Sequence, residues 1–233
     1  MSTFPHIQSA VVPRWLRHGT WFAVGTAVGF LVPYVGVSLL DLQHDLFYLV
    51  YFATTGALLV TYVRTEHVNI RRIITSAWPW SVGLGIVIGL AEVSKVLGED
   101  ATDRPSGAYF GFELLWRGVS YGAVDALLLS VFPGLIAYGI LGGRVGGFVG
   151  KLRFTVLALP LVLLITATYH LGYPQYREDG VGQPEIGNTI ISVPMFATAN
   201  PIGSVIAHAT MHATAVAHTY ETPTFLPPQT YAK

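Results

Sequence analysis

Apolar residues fill six stretches of the chain, at 20–40, 46–63, 74–97, 108–141, 154–173 and 190–218, and short segments between them hold most of the charge. Each stretch is near or above the roughly 20 residues that a helix needs to cross a bilayer. The pattern predicts an all-α fold, a polytopic transmembrane helix bundle of about six spans. It forms a single membrane domain at 20–218, between an N-terminal flank at 1–19 and a short Pro- and Thr-rich tail at 219–233. Two stretches exceed a simple span. As a straight helix, 108–141 would extend about 50 Å against a hydrocarbon core of about 30 Å. Pro133-Gly134 is a candidate break there, and Pro194 and Pro201 divide the last stretch, leaving 202–218 as its spanning part and room for re-entrant or interfacial segments. Gly25/Gly29, Gly85/Gly89 and Gly118/Gly122 are small-xxx-small pairs that would let helices approach closely.

Composition agrees with this class, since 52% of the 233 residues are hydrophobic and only 11% are charged. A net charge of +0 with no basic stripe removes electrostatic support for nucleic-acid binding, and the apolar runs make the lipid bilayer the expected partner. The absence of cysteine excludes disulfides, thiolate ligands and a cysteine nucleophile. Basic residues partition between the loops. Arg14, Arg17, Arg64, Arg71, Arg72, Arg144, Lys151, Arg153 and Lys233 fall on one side of a six-span arrangement, whereas Lys95, Arg104 and Arg177 fall on the other. The positive-inside rule then predicts a multi-pass protein of the cell membrane with both termini cytoplasmic. No A-x-A cleavage site follows the first apolar run, which is expected to remain as an uncleaved helix.

Against this apolar background the charged residues inside the runs stand out, because each costs roughly 2.5–3.5 kcal/mol at mid-membrane when unpaired. Glu113 and Arg117 lie four apart and share a helical face, so each offsets part of the other's desolvation. His208 and His212 repeat that spacing in the last run, and His170 ends the fifth. With six spans, Glu113, Arg117, His170 and His208 fall in one layer near the external boundary, which predicts a single outward-opening polar pocket. Glu92 joins that layer, and Asp125 sits deeper on roughly the face of Arg117; both are expected to support the pocket from its edge.

The order E-x-x-x-R-G, a lone histidine ending a later helix, then H-x-x-x-(N/H) on a last one resembles the CAAX-processing and bacteriocin-processing family of intramembrane glutamic proteases, over about half the chain. Glu113, Arg117, His170, His208 and His212 match the family's motif positions. The resemblance implies an intramembrane peptidase that hydrolyses a peptide bond of a peptide or membrane-protein substrate with a glutamate-activated water and no cofactor. Phe112 stands where the family has the first glutamate of its pair, and Thr166 where it often has an aromatic residue. Either Glu113 takes over the missing base's role, or the chain is an inactive or repurposed derivative.

Two other readings stay open. Three imidazoles and a carboxylate, His170, His208, His212 and Glu113, are enough for zinc or iron in a metal-dependent membrane enzyme, although no H-E-x-x-H occurs. Alternatively the buried Glu, Arg and His residues line a polar pathway or clasp in a transporter, a proton-coupled sensor or an assembly partner.

Overall fold

The computed structural model describes residues 12–222 and 224–226; the expectations for 1–11 and for Lys233 lie outside the described residues. The described chain is an all-α bundle without strands. Its helices are α1 (Arg14–Leu39), α2 (His44–Thr65), α3 (Ile70–Thr75), α4 (Trp78–Val96), α5 (Gly107–Ile140), α6 (Gly147–Leu171), α7 (Pro174–Asp179), α8 (Gly182–Thr198) and α9 (Ile202–His218). Five of them, α1, α2, α4, α5 and α6, are long and apolar enough to cross a membrane. Their outward faces carry Leu31, Leu49, Val60, Val87, Leu90, Leu115, Val156 and Leu164, an apolar belt suited to lipid.

Local sequence explains where these helices begin and how they bend. The Gln43 side chain accepts hydrogen bonds from the backbone N–H groups of Asp45 and Leu46, capping α2, and Asn69 does the same for α3 through Arg72 N–H. Pro33 and Pro133 do not stop their helices. A π-helical turn at Leu127–Val131 precedes Pro133 and widens the helix where the proline ring would meet the carbonyl four residues back, so the helix continues through the expected break; another π turn follows Pro33 at Tyr34–Leu39. A third π turn, Leu114–Ser120, lies in the upper half of α5.

α5 is the central helix, with 67% of its most apolar window buried against 22–39% for the other four. An aromatic core fills the space between it and α1, α2 and α6, built on Phe47, Tyr48, Tyr51, Tyr62, Phe132 and Tyr169. Within that core Phe132 takes the room left by Gly25 of α1, while Leu128 and Ile165 pack on Gly29.

The last apolar run departs from the expected single span. It contains two helices of 17 residues each, α8 and α9, joined at Ala199-Asn200-Pro201 with Ala199 in the left-handed region (φ 55°). Pro194 lies inside α8 and does not divide it. Asn200 pins the turn to the α3–α4 connection: its Nδ2 donates to the carbonyls of Ile73, Ile74 and Ser76 at 3.0, 2.9 and 2.6 Å. From there α9 runs back beside α4, so that His218 Nε2 meets the Glu99 carbonyl and Thr102 N–H donates to the His218 carbonyl. The direction expected for the last span is corrected accordingly: α9 runs from the basic end to the opposite one and not back toward it. Arg14 abuts Gly142 at the basic end of the bundle, whereas His218 sits at the opposite end. The division at Pro201 and the bounds 202–218 are as expected, but the three-residue turn reverses the chain, which an apolar pattern does not reveal.

Asn200→Ala would leave three carbonyls and the Ile202 N–H short of a partner. We expect it to cost at least about 2 kcal/mol, seen as a lower thermal midpoint in detergent. An unchanged midpoint would mean that the turn is held by other contacts.

Candidate functional site

Glu113, Arg117, Tyr121 and Asp125 recur every four residues along α5, and all four are buried, with exposures of 5, 2, 2 and 4%. In a uniform α-helix residues four apart drift by about 40° per step, so this row would turn well off one neighbour by Asp125. The π turn at Leu114–Ser120 takes back part of that drift and keeps the row facing α9.

Small residues bring α9 into place. Gly85 of α4 meets Gly203 so closely that a Cβ on Gly85 would fall 2.5 Å from the Gly203 Cα and carbonyl oxygen. On the α5 side, a Cβ on Gly118 would lie 2.8 Å from Ala213 Cα, and one on Gly122 2.9 Å from Ala209 Cα. α9 is therefore clamped between α4 and α5 with backbones nearly touching, and His208 and His212 are turned toward Asp125.

There Asp125 Oδ2 lies 3.2 Å from His208 Nε2 and 3.8 Å from His212 Nε2. Its Oδ1 accepts a hydrogen bond from Tyr51 at 2.7 Å. The two imidazoles stack with ring centroids 5.0 Å apart and planes 10° apart, and the Tyr121 ring meets His212 edge-on. Beside them the hydroxyls of Tyr121, Tyr169 and Tyr173 form a row, 2.6 and 2.7 Å apart. A second buried polar layer, in which Ser130 bonds Asn188 and Ser192 and Asn188 bonds Thr166, ties α5 to α6 and α8.

A carboxylate this deeply buried needs a positive partner. No Lys or Arg ion pair reaches Asp125 among the described residues, so its charge is balanced by a protonated imidazole or a bound cation, or the carboxyl group itself takes up a proton. The donor set fits a cation. One carboxylate oxygen and one nitrogen from each histidine lie within 4.8 Å of one another. A tetrahedral metal with bonds of about 2.0–2.1 Å spaces its ligand atoms by about 3.3–3.4 Å, between the 3.2 and 3.8 Å that separate Asp125 Oδ2 from the two imidazole nitrogens. His212 Nε2 is buried without a hydrogen-bond partner among the described residues, and the Tyr51 bond fixes the carboxylate as outer-shell partners do in metal sites.

The other expected site residues are placed differently. Glu113 and Arg117 converge on Tyr220, whose hydroxyl donates to Glu113 Oε2 at 3.0 Å and whose ring lies 4.6 Å below the Arg117 guanidinium. Burial and the Glu113 carboxylate push the Tyr220 phenol up to about 12, so it remains a neutral donor. Glu92 pairs with Lys95 at 2.8 Å, away from the histidines. His170 Nδ1 faces the Thr166 carbonyl at 2.8 Å, and its ring packs on Tyr169 and Tyr176.

One cause underlies these differences. Because α9 runs toward the end of the bundle opposite Arg14, His208 lies ten residues, about 15 Å, below His218 and not near the boundary. The antiparallel register with α5 then matches 113 with 220, 121 with 212 and 125 with 208. Asp125, expected at the edge of an outward-opening pocket, is instead the centre of a buried cluster with the two histidines. Tyr51, Tyr121, Tyr169 and Tyr173 were missed as site residues because tyrosines in apolar runs read as membrane belts. The signals for them were the four-residue step from Arg117 through Tyr121 to Asp125 and the four-residue spacing of Tyr169 and Tyr173. No protein-family model matches this chain, and neither a curated protein nor a solved structure does so.

Proposed function

We propose that the chain is an integral membrane hydrolase, embedded in the cell membrane with its basic end toward the cytoplasm, that cleaves a peptide or membrane-protein substrate at a metal centre held by Asp125, His208 and His212. The observation that carries this reading is the buried Asp125 carboxylate with an imidazole nitrogen 3.2 Å and another 3.8 Å away. Zinc or iron suits two imidazoles and a carboxylate, and three protein ligands leave a position open for chemistry. When bound, such a metal supplies Lewis-acid activation of water and of a scissile carbonyl. The residues around it do the rest. Tyr51 fixes the Asp125 carboxylate, Tyr121 braces the His212 ring, and the row of hydroxyls from Tyr121 to Tyr173 offers a path for a released proton.

The glutamate-activated mechanism implied by the family resemblance competes with this one. It draws support from the burial of Glu113 on the α9 side of α5, but the bond from Tyr220 anchors that carboxylate three steps of the row away from Asp125.

Metal analysis of the purified protein, with hydrolysis of quenched membrane-peptide substrates before and after chelation, separates the two. We expect about one equivalent of metal, chelator-sensitive turnover, and a Glu113→Gln variant that keeps most of its activity. Turnover that resists chelation and vanishes in Glu113→Gln would return the glutamate mechanism. Metal retained without turnover would leave a non-catalytic metal site, and neither metal nor turnover would overturn the proposal.

A further inference from the structure

At the basic end a cleft of about 570 Å³ opens between α2, α3, α5 and α9. Its walls are apolar and include Leu59, Ile73, Leu127, Val131, Val205 and Ile206. Its volume falls in the roughly 300–1,000 Å³ range of small-molecule sites. Arg64 is the single charged residue of the lining, at the last turn of α2. The acid two residues on, Glu66, is committed elsewhere, to the Arg17 guanidinium at 3.0 Å and the Trp21 indole N–H at 3.2 Å. No ion pair reaches Arg64 among the described residues, and it brings a positive charge to the rim of an apolar slot.

The short helix α3 continues this division. Ile70, Ile73 and Ile74 turn toward the cleft at i, i+3 and i+4, whereas Arg71 and Arg72 are exposed. That is the pattern of a helix lying in the membrane interface, with its cations at headgroup depth.

We propose that this cleft binds one anionic phospholipid, with an acyl chain between α2 and α9 and its phosphate on Arg64, supported by Arg71. Charge complementarity selects the occupant. A zwitterionic lipid would offer its phosphate together with a cation that Arg64 repels, and a neutral apolar molecule would leave the guanidinium without a partner. The site is separate from the Asp125 cluster and does not depend on its function.

The test is native mass spectrometry of the full chain in detergent, titrated with equal amounts of phosphatidylglycerol and phosphatidylcholine. One phosphatidylglycerol is expected to be retained in preference. Arg64→Gln should cut that preference about fivefold, the effect of one cation near the membrane surface. Val205→Trp, which fills the slot, should remove the retained lipid of either kind, whereas Arg104→Gln at the other end should change nothing. Circular dichroism and gel-filtration profiles matching the wild type would show that the variants are folded. Equal retention of the two lipids, or a preference that survives Arg64→Gln in folded protein, overturns the proposal.

Discussion

Asp125→Asn is expected to empty the metal centre and abolish hydrolysis while leaving the helix bundle folded. The substitution keeps the side chain's size and the oxygen that Tyr51 bonds, but it removes the negative charge on which both histidines converge. An amide is a poor ligand for zinc or iron, so the loss should exceed the roughly 10–100-fold fall in affinity that follows removal of an outer-shell partner. Tyr51→Phe supplies that lesser case, because it deletes one hydroxyl and leaves all three ligand atoms in place. The expected order of retained metal after dialysis is wild type, then Tyr51→Phe, then Asp125→Asn at background. Stability should not follow the same order, since a buried carboxylate without its cation is itself costly and the neutral amide relieves that cost. Full metal occupancy in Asp125→Asn would exclude the proposed ligand set.

Gly85→Val is expected to have the largest effect on the fold. No rotamer helps, because the new atoms would enter the Gly203 backbone and not the end of a flexible side chain. Gly203→Ala faces the same obstacle from the other side, against the Ser81 carbonyl and Pro194. Overpacking of this kind costs about 1–3 kcal/mol where side chains can move aside, and at this backbone contact we expect the upper end or beyond. The displaced α9 carries His208 and His212, so metal binding should fall with stability. Gly56→Ala is the control: nothing lies within 4 Å of its would-be Cβ, and it should be neutral or stabilising by up to about 1 kcal/mol. Thermal midpoints in detergent decide the matter, and a Gly85→Val midpoint equal to that of Gly56→Ala would show that the two helices part without penalty.

The helical class and most of its elements were legible in the apolar runs, because hydrocarbon imposes helix on any long buried stretch. The three glycine pairs were legible too, and all three mark close approaches: Gly25/Gly29 to Phe132, Leu128 and Ile165, Gly85/Gly89 to α9, and Gly118/Gly122 to α9. The direction of α9 was not. Hydropathy measures the depth of a residue in the membrane and carries no sign for chain direction, and the three-residue turn at Asn200 has no charge for the positive-inside rule to count. With the opposite direction His208 would fall level with Glu113 and Arg117, whereas in the fold it meets Asp125. The pairing of His208 with His212 survived because it depends only on spacing within one helix. The π turn at Leu114–Ser120 was likewise invisible, since no local residue type demands it.

The makeup of α9 bears on how the protein is put into the membrane. This helix has only 17 residues and includes Ser204, His208, Thr210, His212 and Thr214, so lipid alone offers it little. What receives it is a slot between α4 and α5, lined by glycine and already within the bilayer. The place of α9 in the bilayer therefore depends on its docking into that slot and not on its own hydropathy. The three candidate ligands meet only at that step, which makes metal uptake a readout of completed insertion.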